Sequence, residues 1–482
     1  MRGLSGLKRN FGYQMVYRIL LVVTPLITSP YLARVLGVEA LGQYSASQAF
    51  VNYFILFAML GIENYGNRTV ARVQDDKQER SAAFWNIYII QVIATCCSIV
   101  AFLLLVEMLI KPEVRLVYLM QGLWLIDSLL NINWFFWGCE QFKLTVTRNI
   151  VIKIASIAGI LLFVKSPRDL WIYVMIVCMS GVLAEGSLWF FLPRYIEKPK
   201  VQWNEVLKNV APILQLFIPV LASSVFHIMD KTMLNILSND ANSGYYYNAD
   251  KIINVPLQLI TGMSAVMLPR VANTLHTEGS GKVKELLSKS AELTLFLTCA
   301  IAFGIGAISD IFVPFFFGDG YEPCILLIKV FVPVLIIKAL SDFVRGQYLI
   351  PTGKDKIYTI AVFGGALSNV IANYILIRQY GALGATIGTL IAEFIVLVIQ
   401  VVGAKKDLPL KEIIGTNGIY IVFGIIMFAV VAALSLYMAG SGIVKVAALI
   451  LAGAVVYMLL CVGYWRMNKR SIFARYVTWN RK

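Results

Sequence analysis

The sequence predicts an all-α polytopic membrane protein of about fourteen transmembrane helices, two six-helix lobes followed by two further helices. Three observations carry this. Apolar stretches roughly 20 residues long recur along almost the whole chain. Lys and Arg crowd into every second gap between them. The composition is 59% hydrophobic and only 14% charged, with mean hydropathy +0.75, which no ordinary globular domain of this length shows. Each stretch matches the roughly 30 Å of hydrocarbon that a helix crosses at about 1.5 Å per residue. In lipid every backbone polar group must be satisfied within the protein, so the runs are helices or strands of a closed barrel. Barrel strands alternate polar and apolar over about 10 residues, and runs such as Ile99–Val106 and Ile443–Cys461 do not alternate.

In chain order the spans read 11–36, broken by Pro25 and Pro30; 41–61, opened by Gly42-Gln43-Tyr44; and 83–106, 114–138, 148–164 and 170–192. The second lobe reads 210–237, broken by Pro212 and Pro219; 245–269, opened by Gly244-Tyr245-Tyr246; and 289–316, 324–349, 357–377 and 382–403. Spans 415–437 and 443–465 close the chain. The matching punctuation extends to Gly61 with Arg68 and Gly262 with Arg270, each followed by Val-Ala two residues later or at once. Such repetition suggests a duplicated six-helix unit; an even number of spans gives both copies the same orientation, about an axis along the membrane normal. The expected division is 1–192 for the N-lobe, 193–209 for a cytoplasmic linker, 210–403 for the C-lobe and 404–482 for the last two helices and a basic tail. Trp203, Val206, Leu207 and Val210 of the linker region suit the inner membrane interface.

The net charge of +15 resides in alternate connectors and the termini, as the positive-inside rule requires. It forms no nucleic-acid-binding signature. Arg68, Arg72, Lys77 and Arg80 mark the first inner connector, Lys143 the second and Lys282, Lys284 and Lys289 the fourth, whereas 238–244 and 438–442 carry no basic residue. Glu140 and Arg148 are expected at the inner interface. Both termini are therefore expected in the cytoplasm, and the apolar stretch after the basic first ten residues reads as a span, not a cleavable leader. Seven scattered cysteines and two histidines supply neither a disulfide framework nor a metal site. Gly279-Ser280-Gly281-Lys282 lacks the hydroxyl residue after Lys that a phosphate-binding loop needs and reads as a flexible basic loop. No catalytic constellation is present, so an enzyme is not expected, and no cofactor is implied.

Charge inside the spans is the chemical signal. Arg18, Asp127, Lys153, Glu185, Asp230, Lys231, Asp250, Lys251, Lys329, Lys338, Asp342, Arg345 and Glu393 all fall within candidate helices. A charge at mid-bilayer costs about 2.5–3.5 kcal/mol even on the mildest scale, so these groups should face a protein interior or a hydrated cavity. Arg18, Lys153, Lys231, Lys251, Lys338 and Arg345 are the candidate cavity-lining cations; Lys231 and Lys251, near the outer end, have snorkelling as an equal alternative. Lys338, Asp342 and Arg345 share one helix face by their i, i+4, i+7 spacing. Asp230, Asp342 and Glu393 are candidates for counter-ions or for coupling to a proton or sodium gradient, and both roles stay open.

The chain resembles the polysaccharide repeat-unit flippases (Wzx type) of the multidrug/oligosaccharidyl-lipid/polysaccharide exporter superfamily. The resemblance lies in Ser29-Pro-Tyr-Leu-Ala-Arg-Val-Leu-Gly37 and Gly61-Ile-Glu-Asn-Tyr-Gly-Asn-Arg68. It continues in Asn133-Trp-Phe-Phe-Trp-Gly-Cys-Glu-Gln-Phe-Lys143, Asp230-Lys231 with Gly244-Tyr-Tyr246, and Asn373-Tyr-Ile-Leu-Ile377 through Gly381-Ala-Leu-Gly-Ala385. Relatives often carry an acid where Asn131 stands; Asp127, one turn earlier, is its candidate replacement. The resemblance implies a MATE-like, V-shaped transporter of a bacterial inner membrane, working by alternating access through a cationic cavity. Its substrate would be an undecaprenyl-pyrophosphate-linked oligosaccharide. Implied partners are membrane lipids, a polysaccharide polymerase and glycosyltransferases, with no nucleic acid. Two other readings stay open: a cation-coupled multidrug exporter of the same superfamily, and a membrane scaffold for glycosyltransferases.

The alternation of basic connectors generates the first prediction. Cysteine placed at Asn242 should react with an impermeant thiol reagent applied outside whole cells, and cysteine placed at Lys282 should not. The reverse pattern would invert the topology.

Overall fold

The computed structural model describes residues 2–197, 202–405, 408, 413, 415, 417–438, 442–468 and 471–474; the side chains of 2–22 and of several residues in the middle of the chain lie outside that description. Apart from short connecting segments the described residues are helical, and there is no strand among them. Eleven helices among them are long and apolar enough to cross a membrane.

The chain begins with α1 (Arg2–Met59), which covers the first two predicted spans in one helix broken only at Gly37, where φ is 78° and ψ 175°. Glycine alone takes that backbone without strain. Next come α2 (Ile62–Arg72), entered through the left-handed Gly61, and α3 (Lys77–Leu109). Asp76 caps α3, accepting from the backbone N–H groups of Gln78 at 2.7 Å and Glu79 at 3.0 Å. The predicted span 114–138 is not one helix. It is divided into α4 (Pro112–Gln121), α5 (Leu123–Leu130) and α6 (Asn133–Gly138), which is one reason the helices long enough to span number fewer than fourteen. Then follow α7 (Phe142–Phe163), α8 (Leu170–Trp189) and α9 (Trp203–Leu237).

In the remainder are α10 (Asp240–Thr277), α11 (Gly279–Phe317), α12 (Pro323–Val344) extended by a π-helical turn Arg345–Leu349, α13 (Asp355–Tyr380), α14 (Ala382–Ala404), α15 (Ile419–Tyr437) and α16 (Ile443–Met467). The connector 270–288 is helical rather than loop-like. Gly279, at φ 80°, turns the chain directly from α10 into α11. The expected flexible basic loop is therefore the first turn of α11, where Lys282 and Lys289 both pair with Glu285, at 2.8 and 2.6 Å.

The chain divides into two compact units, Met1–Asn235 and Ile236–Lys482. In the first, the aromatic segment after the break in the fourth span forms the core. Trp134, Phe135 and Phe136 are fully buried beside Phe84, Ile62 and Val70. The Trp134 ring stacks on Phe84 at 5.6 Å and donates its indole N–H to Gln91 at 3.0 Å. Gly66 of α2 packs against that indole, and a Cβ there would come 2.4 Å from it. Gln91 also repairs the broken span: its amide donates to the carbonyls of Ser128 at 2.7 Å and Asn131 at 2.8 Å, two groups that the interrupted helix leaves open.

In the second unit, α13 and α14 form a tight hairpin. A Cβ at Gly384 would lie 2.2 Å from the Leu376 carbonyl oxygen, and one at Gly388 would lie 2.0 Å from Oδ1 of Asn373. Small residues four apart let the two backbones meet, the usual means of helix association where lipid removes any hydrophobic drive. The last two helices, α15 and α16, are held by a buried carboxylate of α11. Glu292 of α11, buried, accepts from the Tyr420 hydroxyl at 2.9 Å, the Ile472 N–H at 3.0 Å and the Ser471 hydroxyl. Trp465 of α16 donates to the same Tyr420 oxygen at 2.9 Å.

Replacing Gly384 by Leu should force the α13–α14 backbones apart and cost at least about 1–3 kcal/mol, as overpacking does. Gly463→Ala, where an added Cβ meets nothing within 4 Å, should leave stability unchanged. Thermal unfolding of the two purified variants in detergent checks the contrast; equal melting points would remove the close-packing argument.

Candidate functional site

Among the described residues, ionisable and amide side chains gather in buried networks in both units. In the first unit, Arg148 of α7 donates from Nη2 to Asn133 at 2.8 Å and lies 3.4 Å from Glu185 of α8. Asn133 in turn donates to both Glu185 oxygens at 2.8 Å. The Arg148 and Glu185 side chains are each only 10% exposed, so Arg148 is enclosed by the protein and not free in a connector. The cause is the break at Asn131–Ile132, which turns Asn133 and the start of α6 towards α8. Asn131 caps that break, accepting from the Asn133 N–H at 3.1 Å and donating to Glu63 of α2 at 3.5 Å. Asp127, on the preceding turn, packs its carboxylate against Gly181 of α8.

The second unit holds two arrangements on α12. Lys338 lies 3.7 Å from Glu393 of α14, with side chains 12% and 6% exposed. Asp342 and Arg345 pair with each other, as their shared face predicts. Lys338, one turn before Asp342 on the same helix, pairs across to α14. Asp342 also accepts from the Ser264 hydroxyl of α10 at 2.7 Å, and the Arg345 guanidinium lies 5.5 Å from the centroid of the Tyr358 ring of α13.

The other predicted groups are more dispersed. Lys251 lies 5.2 Å from the Tyr247 ring on its own helix. Asp230 is buried, and Lys153 and Lys231 are half-buried; each engages neighbouring groups within the fold. Lys329 pairs with Asp310 at 2.7 Å in a partly exposed bridge. Arg18 lies on α1, and its side chain is outside the described residues. Of the six candidate cations, Arg18, Lys153 and Lys231 belong to the first unit and Lys251, Lys338 and Arg345 to the second. Among the described residues, no group of three or more His, Cys, Asp or Glu side chains could hold a metal ion.

Sequence reasoning passed over Arg148 as a buried partner, Glu63 as the acid beside Asn131, and Glu292. The available signal was spacing: Glu292 lies within a predicted span, and Arg148 starts one. Ser264 gave no signal, since serine is too common in membrane helices to stand out, and Asn133 stood out only as the start of the segment Asn133–Lys143 that carries the resemblance.

Comparison with known proteins places these networks in context. The family described as polysaccharide biosynthesis protein matches residues 7–275. A protein of Escherichia coli (strain K12) described as an O-antigen transporter is 23% identical over 409 residues, covering 83% of this chain and 97% of its own. Among solved structures, the lipid II flippase MurJ in an inward closed conformation superposes with a TM-score of 0.75 at 17% identity, covering 95% of this chain and 99% of its own. An inward-facing multidrug resistance MATE family transporter of the MOP superfamily gives a TM-score of 0.58 at 13% identity, covering 80% of this chain and 97% of its own. The fold is therefore the one these transporters share.

The buried pair in the first unit yields a stability prediction. Arg148→Ala leaves the Glu185 carboxylate buried without its guanidinium and should cost on the order of 3–5 kcal/mol. Arg148→Met combined with Glu185→Leu should recover most of that loss, because two apolar side chains remove the charge altogether. A double-mutant cycle on melting in detergent measures this, and additive losses would mean the two residues act independently.

Proposed function

The chain belongs to the polysaccharide biosynthesis protein family, and from that membership we propose that it is a flippase. It carries a lipid-linked oligosaccharide from the inner to the outer leaflet of a bacterial cell membrane, for assembly of a surface polysaccharide. The observation that supports this best is the family match over more than half the chain, joined to a likeness to the lipid II flippase fold along 95% of it. The physical case agrees. A lipid-linked pyrophosphate carries charge that hydrocarbon rejects, while its lipid tail can stay in the bilayer and its sugar needs a hydrated path. Cations within the spans can offset the phosphate charge. On this reading the two lobes alternate access to a cationic cavity, and both termini face the cytoplasm. Asp230, Asp342 and Glu393 remain the candidates for coupling to a proton or sodium gradient. A polymerase and glycosyltransferases are the proposed neighbours in the membrane.

Deleting the protein should make lipid-linked sugar accumulate on the cytoplasmic side and abolish surface polysaccharide, with no change in sensitivity to cationic drugs. Reintroduced wild-type protein should restore both. Arg18→Ala and Lys153→Ala should insert normally, as judged by immunoblot, yet lower polysaccharide export about tenfold or more, since a lost charged hydrogen bond is worth about 1.5–3 kcal/mol. Loss of drug efflux without sugar accumulation would point to a multidrug exporter. Sugar transport that survives deletion, with glycosyltransferases dispersed, would point to a scaffold.

A further inference from the structure

The π-helical turn after α12 joins a chain of hydrogen bonds that runs in one direction. Ser290 of α11 donates to Oε1 of Gln347 at 2.5 Å. Gln347 donates from Nε2 to Ser264 of α10 at 3.4 Å, and Ser264 donates to Oδ2 of Asp342 at 2.7 Å. Arg345 donates from Nη2 to the other oxygen, Oδ1. Every donor points towards the same carboxylate, an order in which each bond polarises the next. The wider turn lets Arg345 and Gln347, two residues apart, serve different neighbours: Tyr358 on α13 for one, α10 and α11 for the other. Gly346 between them leaves the space that Ser264 occupies; a Cβ there would come 2.8 Å from the Ser264 side chain.

Exposure separates the two ends of this chain. Gln347 is 1% exposed and Ser264 and Ser290 7% each, whereas the Arg345 side chain is 37% exposed. Burying an amide and two hydroxyls is costly unless all are bonded. Here they are bonded into a fixed support whose open end is a guanidinium. That guanidinium meets Asp342 and also bonds the Tyr358 side chain, whose ring lies beside it; of its five N–H donors, others remain to take a second, planar-matched anion. A phosphate accepts two parallel bonds from such an edge, which a lysine ammonium cannot offer.

We propose that this relay is a brace that presents Arg345 to a phosphate group of the transported lipid, with Asp342, Ser264 and Gln347 as positioning residues. The inference rests on the flippase reading above and assigns the substrate's phosphate contact in the second unit. Lys338, buried against Glu393, has a different part: it ties α12 to α14.

The test uses full-length protein in neutral detergent and compares its affinity for undecaprenyl pyrophosphate, for undecaprenol and for phosphatidylglycerol. Wild-type protein should prefer the pyrophosphate lipid to the neutral alcohol. Arg345→Gln should weaken pyrophosphate-lipid binding about tenfold, with Arg345→Lys falling between. Ser264→Ala should weaken it by about threefold while the melting temperature stays put, a split that a merely structural serine would not give. Arg378→Gln removes another arginine stacked on a tyrosine, 4.1 Å from the Tyr374 centroid, and should leave binding unchanged. If wild-type protein does not distinguish pyrophosphate lipid from undecaprenol, the flippase reading falls and takes the brace with it. If it does distinguish them and both the Arg345→Gln and Ser264→Ala variants bind like wild type, the brace alone is overturned. An equal loss of phosphatidylglycerol binding would also overturn it, assigning Arg345 to bulk lipid.

Discussion

Everything in this fold answers to one constraint: inside a membrane no water is available to complete a hydrogen bond, so each polar group must find its partner within the protein. Unbroken helices meet that demand locally, which is why the described residues are helical apart from short connecting turns. The exceptions show how strict it is. Where the fourth span breaks, one glutamine on a neighbouring helix, Gln91, supplies donors to two carbonyls while its own oxygen takes the indole N–H of Trp134. A break thus becomes a fixed joint. The aromatic segment that follows can then turn inward and form the first unit's core.

The same constraint governs how helices associate. Apolar side chains gain little from leaving lipid for each other, so contact depends on shape and on polar groups. The α13–α14 hairpin uses shape, through glycines that a single methyl group would spoil. The last two helices use polarity, with Glu292 gathering donors from α15 and from the segment beyond α16, while Trp465 of α16 donates to the Tyr420 hydroxyl that Glu292 holds. Ion pairs such as Arg148–Glu185 and Lys338–Glu393 belong to this second class. Desolvating both partners costs about as much as their attraction returns; such pairs fix which helix lies against which more than they add stability.

Span existence and helical class were legible because each depends on a run of neighbouring residues, and hydropathy sums such runs directly. The break in 114–138 was not, since the asparagines that mark it, Asn131 and Asn133, are flanked by apolar runs on both sides and read as polar positions within one span. The 279–282 segment was misread for the opposite reason. Its two glycines suggested a loop, but only Gly279 is used for a turn and Gly281 sits within a helix whose outer face is paired. At the candidate sites the charged residues were visible and their partners were not. The Asp342–Arg345 pair followed from helical spacing. The Lys338–Glu393 pair joins residues 55 positions apart, and nothing in the sequence showed that Asn133 and Glu185 close round Arg148.

This bears on how charges within spans are to be counted. A buried cation already matched by a buried acid presents a passing anion with a dipole and not a full charge, so its attraction falls off more steeply with distance. Lys338 beside Glu393 is in that state, both groups lying almost wholly inside the protein. Arg345 differs in geometry more than in charge. Its acid is held from behind by Ser264, and the planar guanidinium stays open on a side that the carboxylate does not cover. Under the proposed function, then, the number of cations in the spans sets an upper bound on substrate contacts. The smaller number that matters is set by which of them combine a fixed support with an exposed edge.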